Sequence, residues 1–191
     1  MGPFFSIVVP AHNVRSYIDE CVSSVLSQDA DLELIVVDDH STDGTAELIA
    51  QHPDARVTVV TLDRAGGPGP ARNAGVACAT GRYVVFLDSD DALAPGSLAA
   101  VRRRLEETGS PDLLLVDFDL WWADGATTRN PQAAILSAAS LSGAFPLGQH
   151  PEILGLYNAP WTRAHRLEFI QRAGLSFPDG YYEDLPWTMC G

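Results

Sequence analysis

Lysine is absent from this chain of 191 residues, and positive charge of any kind is scarce. Its 12 basic residues are all arginine and face 25 acidic residues, which gives a formal net charge of −13. A domain with that charge repels a nucleic-acid backbone and is not drawn to an anionic bilayer. The missing lysine also excludes a P-loop, whose lysine contacts the bound phosphates. Nucleic-acid binding, unaided membrane docking and P-loop chemistry are therefore excluded.

Long apolar runs, paired cysteines and a leader pattern are lacking too. Uninterrupted apolar runs such as residues 113–116 are far shorter than the ~20 residues of a membrane-spanning helix. Cys21, Cys78 and Cys190 are widely spaced and form no CxxC or Cys/His pattern, which favours reduced thiols over disulfides or zinc. No signal-peptide pattern opens the chain. We expect a cytoplasmic protein, with peripheral association at the inner face of the cell membrane arising only through a longer parent protein.

Hydrophobic residues make up 46% of the chain, enough for the core of one domain. Apolar runs predict strands, and apolar positions at helical spacing predict helices between them. Strands are predicted over 4–10, 32–37, 56–62, 83–87 and 112–118, and helices over 14–26, 45–51, 71–79 and 95–108. Strands that are apolar on both faces and alternate with helices indicate a parallel sheet covered on both sides. The predicted fold is a three-layer α/β/α domain with a mostly parallel central sheet.

The sequence pattern changes from residue 120. Predicted turns are scattered there, and the hydrophobic periodicity weakens. Helices are predicted there only around 152–156 and 164–172. We therefore expect one domain over 1–191, made of an α/β half (1–118) and a small mixed annex (119–191). No closing signal precedes residue 191, so a longer parent chain is expected.

Polar clusters follow three of the predicted strands. They are Pro10-Ala11-His12-Asn13 after the first, residues 38–44 after the second, and residues 88–91 (Asp-Ser-Asp-Asp) after the fourth. In an open α/β sheet, ligands bind beyond the carboxyl ends of the strands. The sequence thus predicts one ligand site at one edge of the sheet.

Asp88 and Asp90 are the candidate metal ligands. Residues i and i+2 of an extended segment point the same way, so both carboxylates can face one cation. Hard oxygen ligands with open positions suit Mg²⁺ or Mn²⁺ bound together with substrate phosphates. The alternative is that residues 88–91 only cap the following helix.

Asp39 and Arg72 are the candidate polar contacts to a ligand. Asp39 at a strand end could accept hydrogen bonds from a nucleobase or ribose. Arg72 lies near a helix start. Its guanidinium could donate two hydrogen bonds to a phosphate or to the acidic cluster, or it could form an ordinary salt bridge. The loop Gly66-Gly67-Pro68-Gly69 is not a dinucleotide fingerprint, because it follows the third strand instead of the first. No G-x-S-x-G sequence occurs, so the nucleophile elbow of serine hydrolases is missing.

Four segments together resemble family 2 glycosyltransferases. They are Ile-Val-Val-Pro-Ala-His-Asn at 7–13, Val-Val-Asp-Asp-His-Ser-Thr-Asp-Gly-Thr at 36–45, residues 69–75, and Phe-Leu-Asp-Ser-Asp-Asp at 86–91. Glu183-Asp184 is similar to the later acidic motif of that family. The resemblance implies the glycosyltransferase A-type (GT-A) fold, with residues 1–118 as the nucleotide-sugar-binding half and 119–191 as the acceptor-side annex.

The resemblance also implies roles for individual residues. It assigns the nucleotide pocket to Pro10, Ala11, Asn13 and Asp39, with Asp39 facing the base. His12 departs from the pattern, since the family often has tyrosine there.

The remaining implied roles concern the reaction. Asp88 would approach the ribose or donor sugar, and Asp90 would hold the divalent metal. Arg72 and Asn73 would lie beside that cluster, and Asp184 would be the general base.

The implied function is inverting, metal-dependent transfer of a sugar, from a UDP-sugar by preference, to a hydroxyl acceptor. The acceptor would be a glycan, a polyol-phosphate polymer or a lipid-linked molecule in cell-wall or surface glycan synthesis. Residues 161–169 and 177–187 also resemble the amino-terminal domain of large actinobacterial proteins associated with teichoic-acid-like polymers.

Two alternative functions stay open. One is a nucleotidyltransferase, which would normally carry a glycine-rich basic loop after the first strand, and the other is a non-catalytic domain that binds nucleotide sugar or a protein partner.

Overall fold

A six-stranded sheet in the order β3-β2-β1-β4-β8-β5 organises the protein. The structure, a computed structural model, describes residues 2–122, 124–137, 143–157, 159–180, 184 and 187. The sheet strands are β1 (Phe5–Ala11), β2 (Leu32–Asp38), β3 (Val57–Thr61), β4 (Tyr83–Phe86), β5 (Leu113–Leu115) and β8 (Arg163–Arg166). A separate two-stranded antiparallel ribbon is formed by β6 (Asp119–Trp121) and β7 (Thr127–Arg129).

Strand β1 lies at the centre of the parallel part of the sheet, and all seven of its residues are buried. It pairs in parallel with β2 and β4, and β2 pairs in parallel with β3. The helices are α1 (Ile18–Leu26), α2 (Thr45–Ala50), α3 (Pro68–Cys78), α4 (Ser97–Glu107), α5 (Ala133–Leu136) and α6 (Leu167–Ala173). The predicted α/β domain with a mostly parallel sheet is confirmed.

Helix α3 lies unusually close to the sheet at Gly75. A Cβ atom built there would collide with Val8 and lie 3.3 Å from Cγ2 of Val37. Only glycine lets the helix backbone approach β1 and β2 so closely. The close contact fixes the height of α3 above the sheet and thereby the position of Arg72, three residues earlier.

The helix predicted over 164–172 was wrong at residues 164–166 and is confirmed over 167–172. A helix was expected, but Arg163–Arg166 form β8, which runs antiparallel between β4 and β5, and α6 begins only at Leu167. Pairing with two strands and complete burial of Ala164 outweigh the helical preference of alanine and arginine. Strand β5 is correspondingly shorter than predicted and is separated from β4 by β8. The helix expected around 152–156 is a 3₁₀ turn, Pro151–Gly155.

The carboxyl ends of β1 to β5 share one edge of the sheet, called the site edge below. Because β8 runs the opposite way, its first residue, Arg163, lies at that edge as well.

Of the three cysteines, Cys21 and Cys78 are free thiols and Cys190 lies outside the described residues. Within the described part of the chain, every helix is too short or too polar to span a bilayer.

Candidate functional site

The loops after β1 and β2 are joined by His12 and Asn13. Nδ1 of His12 lies 2.6 Å from the carbonyl oxygen of Asp39, and since a carbonyl only accepts, Nδ1 carries the proton. Nε2 then accepts from Nδ2 of Asn13 at 3.0 Å. Asn13 has a φ of 54° and accepts the Thr42 N–H through Oδ1 at 2.8 Å. The predicted nucleotide-pocket residue Asn13 is thus held in place by both loops.

Asp39 organises a second loop at the same edge. It is 4% exposed, and its two carboxylate oxygens accept the N–H groups of Gly66 and Gly67, each at 2.7 Å. Gly67 has a φ of 87°, which favours glycine at that position. A carboxylate has about four acceptor positions, and these two bonds use two of them. Pro10 and Ala11, the other predicted pocket residues, are buried at the end of β1, and the Ala11 carbonyl accepts the Asp39 N–H at 2.8 Å.

Arg72 brings two acidic residues together. It is 4% exposed, Nη2 donates to Oδ1 of Asp88 at 2.9 Å, and Nη1 donates to Oδ1 of Asp184 at 3.0 Å. Its Cζ lies 5.4 Å from the centroid of the Phe177 ring. Of the uses considered for its fork, Arg72 therefore contacts the acidic cluster. The two carboxylates keep about a third of their side-chain surface exposed, 33% and 35%.

The acidic segment after β4 concentrates negative charge. Asp90 and Asp91 are exposed. The surrounding protein, and then the charges of Asp88 and Asp90, raise the pKa of Asp91 to about 6. Among the described residues, no group of three His, Cys, Asp or Glu side chains is placed to hold a metal ion. Carboxylate oxygens are the ligand type that Mg²⁺ and Mn²⁺ take in proteins, where one or two carboxylates are commonly joined by the oxygens of a bound diphosphate.

Asn73 lies next to Arg72 but contacts backbone. Nδ2 donates to the Phe177 carbonyl at 2.8 Å, and Oδ1 accepts the Phe177 N–H at 2.9 Å. The Phe177 ring stacks on Trp187 with 4.2 Å between centroids and 5° between planes. Asp184 and Trp187, three positions apart in the sequence, each have helical backbone. Asn73 thus supports the segment that carries Asp184.

Arg163 and His165 are residues of this region that sequence reasoning missed. Both are buried, at 4% and 0% exposure, and His165 packs 5.3 Å from Trp187. Charged residues in a buried strand contradict the apolar pattern by which strands are found. The resemblance noted over residues 161–169 covers both positions but gave neither of them a role. Glu183, the neighbour of Asp184, lies outside the described residues.

Comparison with known proteins matches residues 6–126 to Glycosyl transferase family 2. The chain belongs to this family. Succinoglycan biosynthesis protein ExoO of Rhizobium meliloti is 39% identical over 128 residues, covering 66% of this chain and 36% of ExoO. The uncharacterized glycosyltransferase EpsJ of Bacillus subtilis is 31% identical over 196 residues, covering 99% of this chain and 56% of EpsJ.

A solved structure extends the family likeness to the whole fold. TarS 1-349 of S. aureus in complex with UDP-GlcNAc superimposes with a TM-score of 0.84 at 28% identity, covering 100% of this chain and 53% of that one. TarS is named a poly(ribitol-phosphate) beta-N-acetylglucosaminyltransferase. The predicted GT-A fold and family are confirmed. This chain spans between about a third and about half of the length of these family members.

Proposed function

We propose that the chain is the donor-binding part of an inverting, metal-dependent glycosyltransferase. It would transfer a sugar from a nucleoside-diphosphate donor, UDP-linked by preference, to an acceptor hydroxyl. The observation that carries the proposal is the bridge of Arg72 between Asp88 and Asp184. One buried guanidinium holds the residue expected near the donor and the residue expected to act as base within one site. Membership of family 2 favours this activity over nucleotidyl transfer.

The nucleotide end of the donor would bind at the loops after β1 and β2. Asp39 keeps acceptor capacity beyond its bonds to Gly66 and Gly67, so it can accept the imide N–H of uracil. Asn13 and the end of β1, with Pro10 and Ala11, would line the same pocket. The complex of TarS with UDP-GlcNAc supports a uridine donor.

The diphosphate end would lie at the acidic segment after β4. Asp90, assisted by Asp88, would hold Mn²⁺ or Mg²⁺. When bound, the cation neutralises the diphosphate and stabilises the leaving group. Without a counter-charge, a diphosphate beside Asp88, Asp90 and Asp91 would be repelled.

Asp184 would take the proton of the acceptor hydroxyl. Its hydrogen bond to Arg72 orients the carboxylate, and the 35% of the side chain that is exposed leaves surface for the acceptor. A positioned base typically contributes 10²- to 10⁴-fold. Attack by the deprotonated hydroxyl in one displacement inverts the anomeric carbon.

The acceptor class is inferred from the relatives. ExoO is named for succinoglycan biosynthesis and TarS for poly(ribitol-phosphate). We therefore place the reaction in surface polysaccharide or wall-polymer synthesis, with a glycan, polyol-phosphate or lipid-linked acceptor at the cytoplasmic side of the membrane.

A screen of nucleotide sugars for metal-dependent hydrolysis or transfer tests the proposal. Asp90→Ala should abolish metal-dependent UDP binding and turnover while leaving the fold intact, because Asp90 is exposed. Asp29→Ala is the matched control, since this exposed aspartate follows α1 at the opposite edge of the sheet. UDP binding without turnover of any nucleotide sugar would instead support a non-catalytic domain. Equal UDP affinity with Mn²⁺ and with chelator would contradict the metal assignment.

A further inference from the structure

Arg163 is the first residue of β8 and lies at the site edge, one strand from Asp88. The antiparallel register pairs Val85 with Ala164 and Val84 with His165, so the next pair places Arg163 opposite Phe86. Residues directly opposite each other in an antiparallel pair share a face of the sheet. Arg163 therefore lies on the face of Phe86, whose ring contacts Trp187 at 5.5 Å.

The guanidinium of Arg163 is buried without a carboxylate. The residue is 4% exposed, and its hydrogen bonds run from Nη1 to the Ala159 carbonyl at 3.3 Å and to Oγ1 of Thr162 at 2.9 Å. No acidic side chain in the described part of the chain forms an ion pair with it. Arg72, the other arginine exposed at only 4%, pairs with the carboxylates of Asp88 and Asp184.

The surroundings of Arg163 are short of negative charge although the chain carries −13. Burial lowers the pKa of Arg163. Burial and then the charge of Arg163 lower the pKa of His165, two residues along the same strand face. Since an arginine stays protonated in proteins, a positive charge is kept there without a balancing anion from the described residues.

Part of the Arg163 guanidinium is not used in the hydrogen bonds to Ala159 and Thr162 and keeps its capacity to donate. Nε and Nη2 donate no hydrogen bond to any described residue, so three N–H groups remain. The Nε and Nη2 edge is the fork with which arginine binds phosphate in a bidentate manner.

We propose that Arg163 is a phosphate-binding residue of this site. The assignment rests on the proposed glycosyl transfer, which brings two kinds of phosphate to the site edge. One is the diphosphate of the donor, and the other is a phosphodiester or phosphomonoester of the acceptor. Both present the same oxygens to the fork.

Calorimetric titration of Arg163→Met and Arg163→Lys tests the assignment. Methionine keeps a flexible stem but removes the charge, and lysine keeps the charge but removes the fork. The control is Arg129→Met, which removes an equal charge from an exposed side chain on β7. The probes are UDP with Mn²⁺, and glycerol 1-phosphate added to protein saturated with UDP and Mn²⁺.

At least one probe should bind about tenfold more weakly to Arg163→Met, with Arg163→Lys between it and the wild type. If only the affinity for UDP falls, Arg163 binds the diphosphate of the donor. If only the affinity for glycerol 1-phosphate falls, Arg163 binds the phosphate of the acceptor. Arg129→Met should match the wild type for both. Unchanged binding of both probes to Arg163→Met would overturn the proposal.

A second measurement covers the case that Arg163→Met does not fold. In wild-type protein with ¹⁵N-labelled arginine, the Nε–H signal of Arg163, assigned from the spectrum of Arg163→Lys, should shift on titration with inorganic phosphate. A signal that stays in place at saturating phosphate overturns the proposal. Failure of the wild type to bind UDP in Mn²⁺ would instead count against the proposed function itself.

Discussion

Asn73 holds the backbone of Phe177 from both sides, with its amide nitrogen donating to the Phe177 carbonyl and its amide oxygen accepting the Phe177 N–H. The neighbouring residue, Arg72, binds Asp184 directly. Two successive residues of α3 therefore position the carboxylate of Asp184, one through its side chain and one through the stack of Phe177 on Trp187. The proposed base is placed by the donor half of the domain.

Asn73→Ala should reduce turnover more than UDP affinity. The substitution leaves the N–H and carbonyl of Phe177 without their partner, which should lower the free energy of unfolding by about 1–3 kcal/mol. Urea denaturation measures the loss of stability. Measuring both kcat and the Kd of UDP shows whether turnover falls more than UDP affinity. Asn130→Ala is the matched control, because Asn130 is also buried and makes two hydrogen bonds, to Asp117 and Gln132. If Asn130→Ala lowers kcat as much, the effect is one of general stability.

Asp39→Ala should narrow the preference for UDP over CDP. In the proposed function Asp39 would accept the imide N–H of uracil, a donor that cytosine lacks. The same substitution removes the acceptors of the Gly66 and Gly67 N–H groups, so a loss of stability accompanies it. Calorimetric titration of both nucleotides with Mn²⁺ measures the preference. Tighter binding of CDP than UDP by the wild type would contradict the role given to Asp39.

Asp184→Asn should separate binding from chemistry. Asparagine keeps the size of the side chain and can still accept from Arg72 through its oxygen, but it cannot take a proton. Transfer should fall by about 10²-fold or more, while the Kd of the donor stays within a few-fold. The measurement compares kcat and the Kd of the donor between the variant and the wild type. Wild-type turnover in this variant would remove the base assignment and turn attention to Glu183.

His165 should make the fold sensitive to acid. Burial and the charge of Arg163 lower the pKa of His165 from 6.5 to about 3, so between these two pH values the unfolded chain binds a proton that the folded chain does not. The free energy of unfolding is therefore highest above pH 6.5. It falls as the pH drops towards 3, by up to about 1.4 kcal/mol per pH unit. His165→Leu should flatten this slope in denaturation curves. His40→Asn, at an exposed position with a φ of 59° that asparagine tolerates, should leave the slope unchanged.

The sequence predicted the parallel strands and the site edge because both depend on local signals. Continuous apolar runs mark β1, β2 and β4, and the polar residues that follow a buried strand must emerge at its end. Asp39, Asp88 and Asp90 were found in this way.

Contacts between distant segments could not be predicted. The choice of Arg72 between phosphate and carboxylates depends on where residue 184 lies, and the pairing of Asn73 with Phe177 joins segments 104 residues apart. Strand β8 depends on pairing with β4 and β5, whose effect no local pattern records. Arg163 was missed for the same reason.

The insertion of β8 between β4 and β5 limits where this domain can be divided and recombined. A donor half cut at residue 118 would lose the partner of β4 and leave that strand as an open edge of the sheet, a template for aggregation. Grafting a new acceptor region onto the first half would therefore have to carry β8 with it. Arg163 is part of β8. An exchange of the acceptor region would therefore also replace a residue that lies one strand away from the acidic segment 88–91 of the donor half.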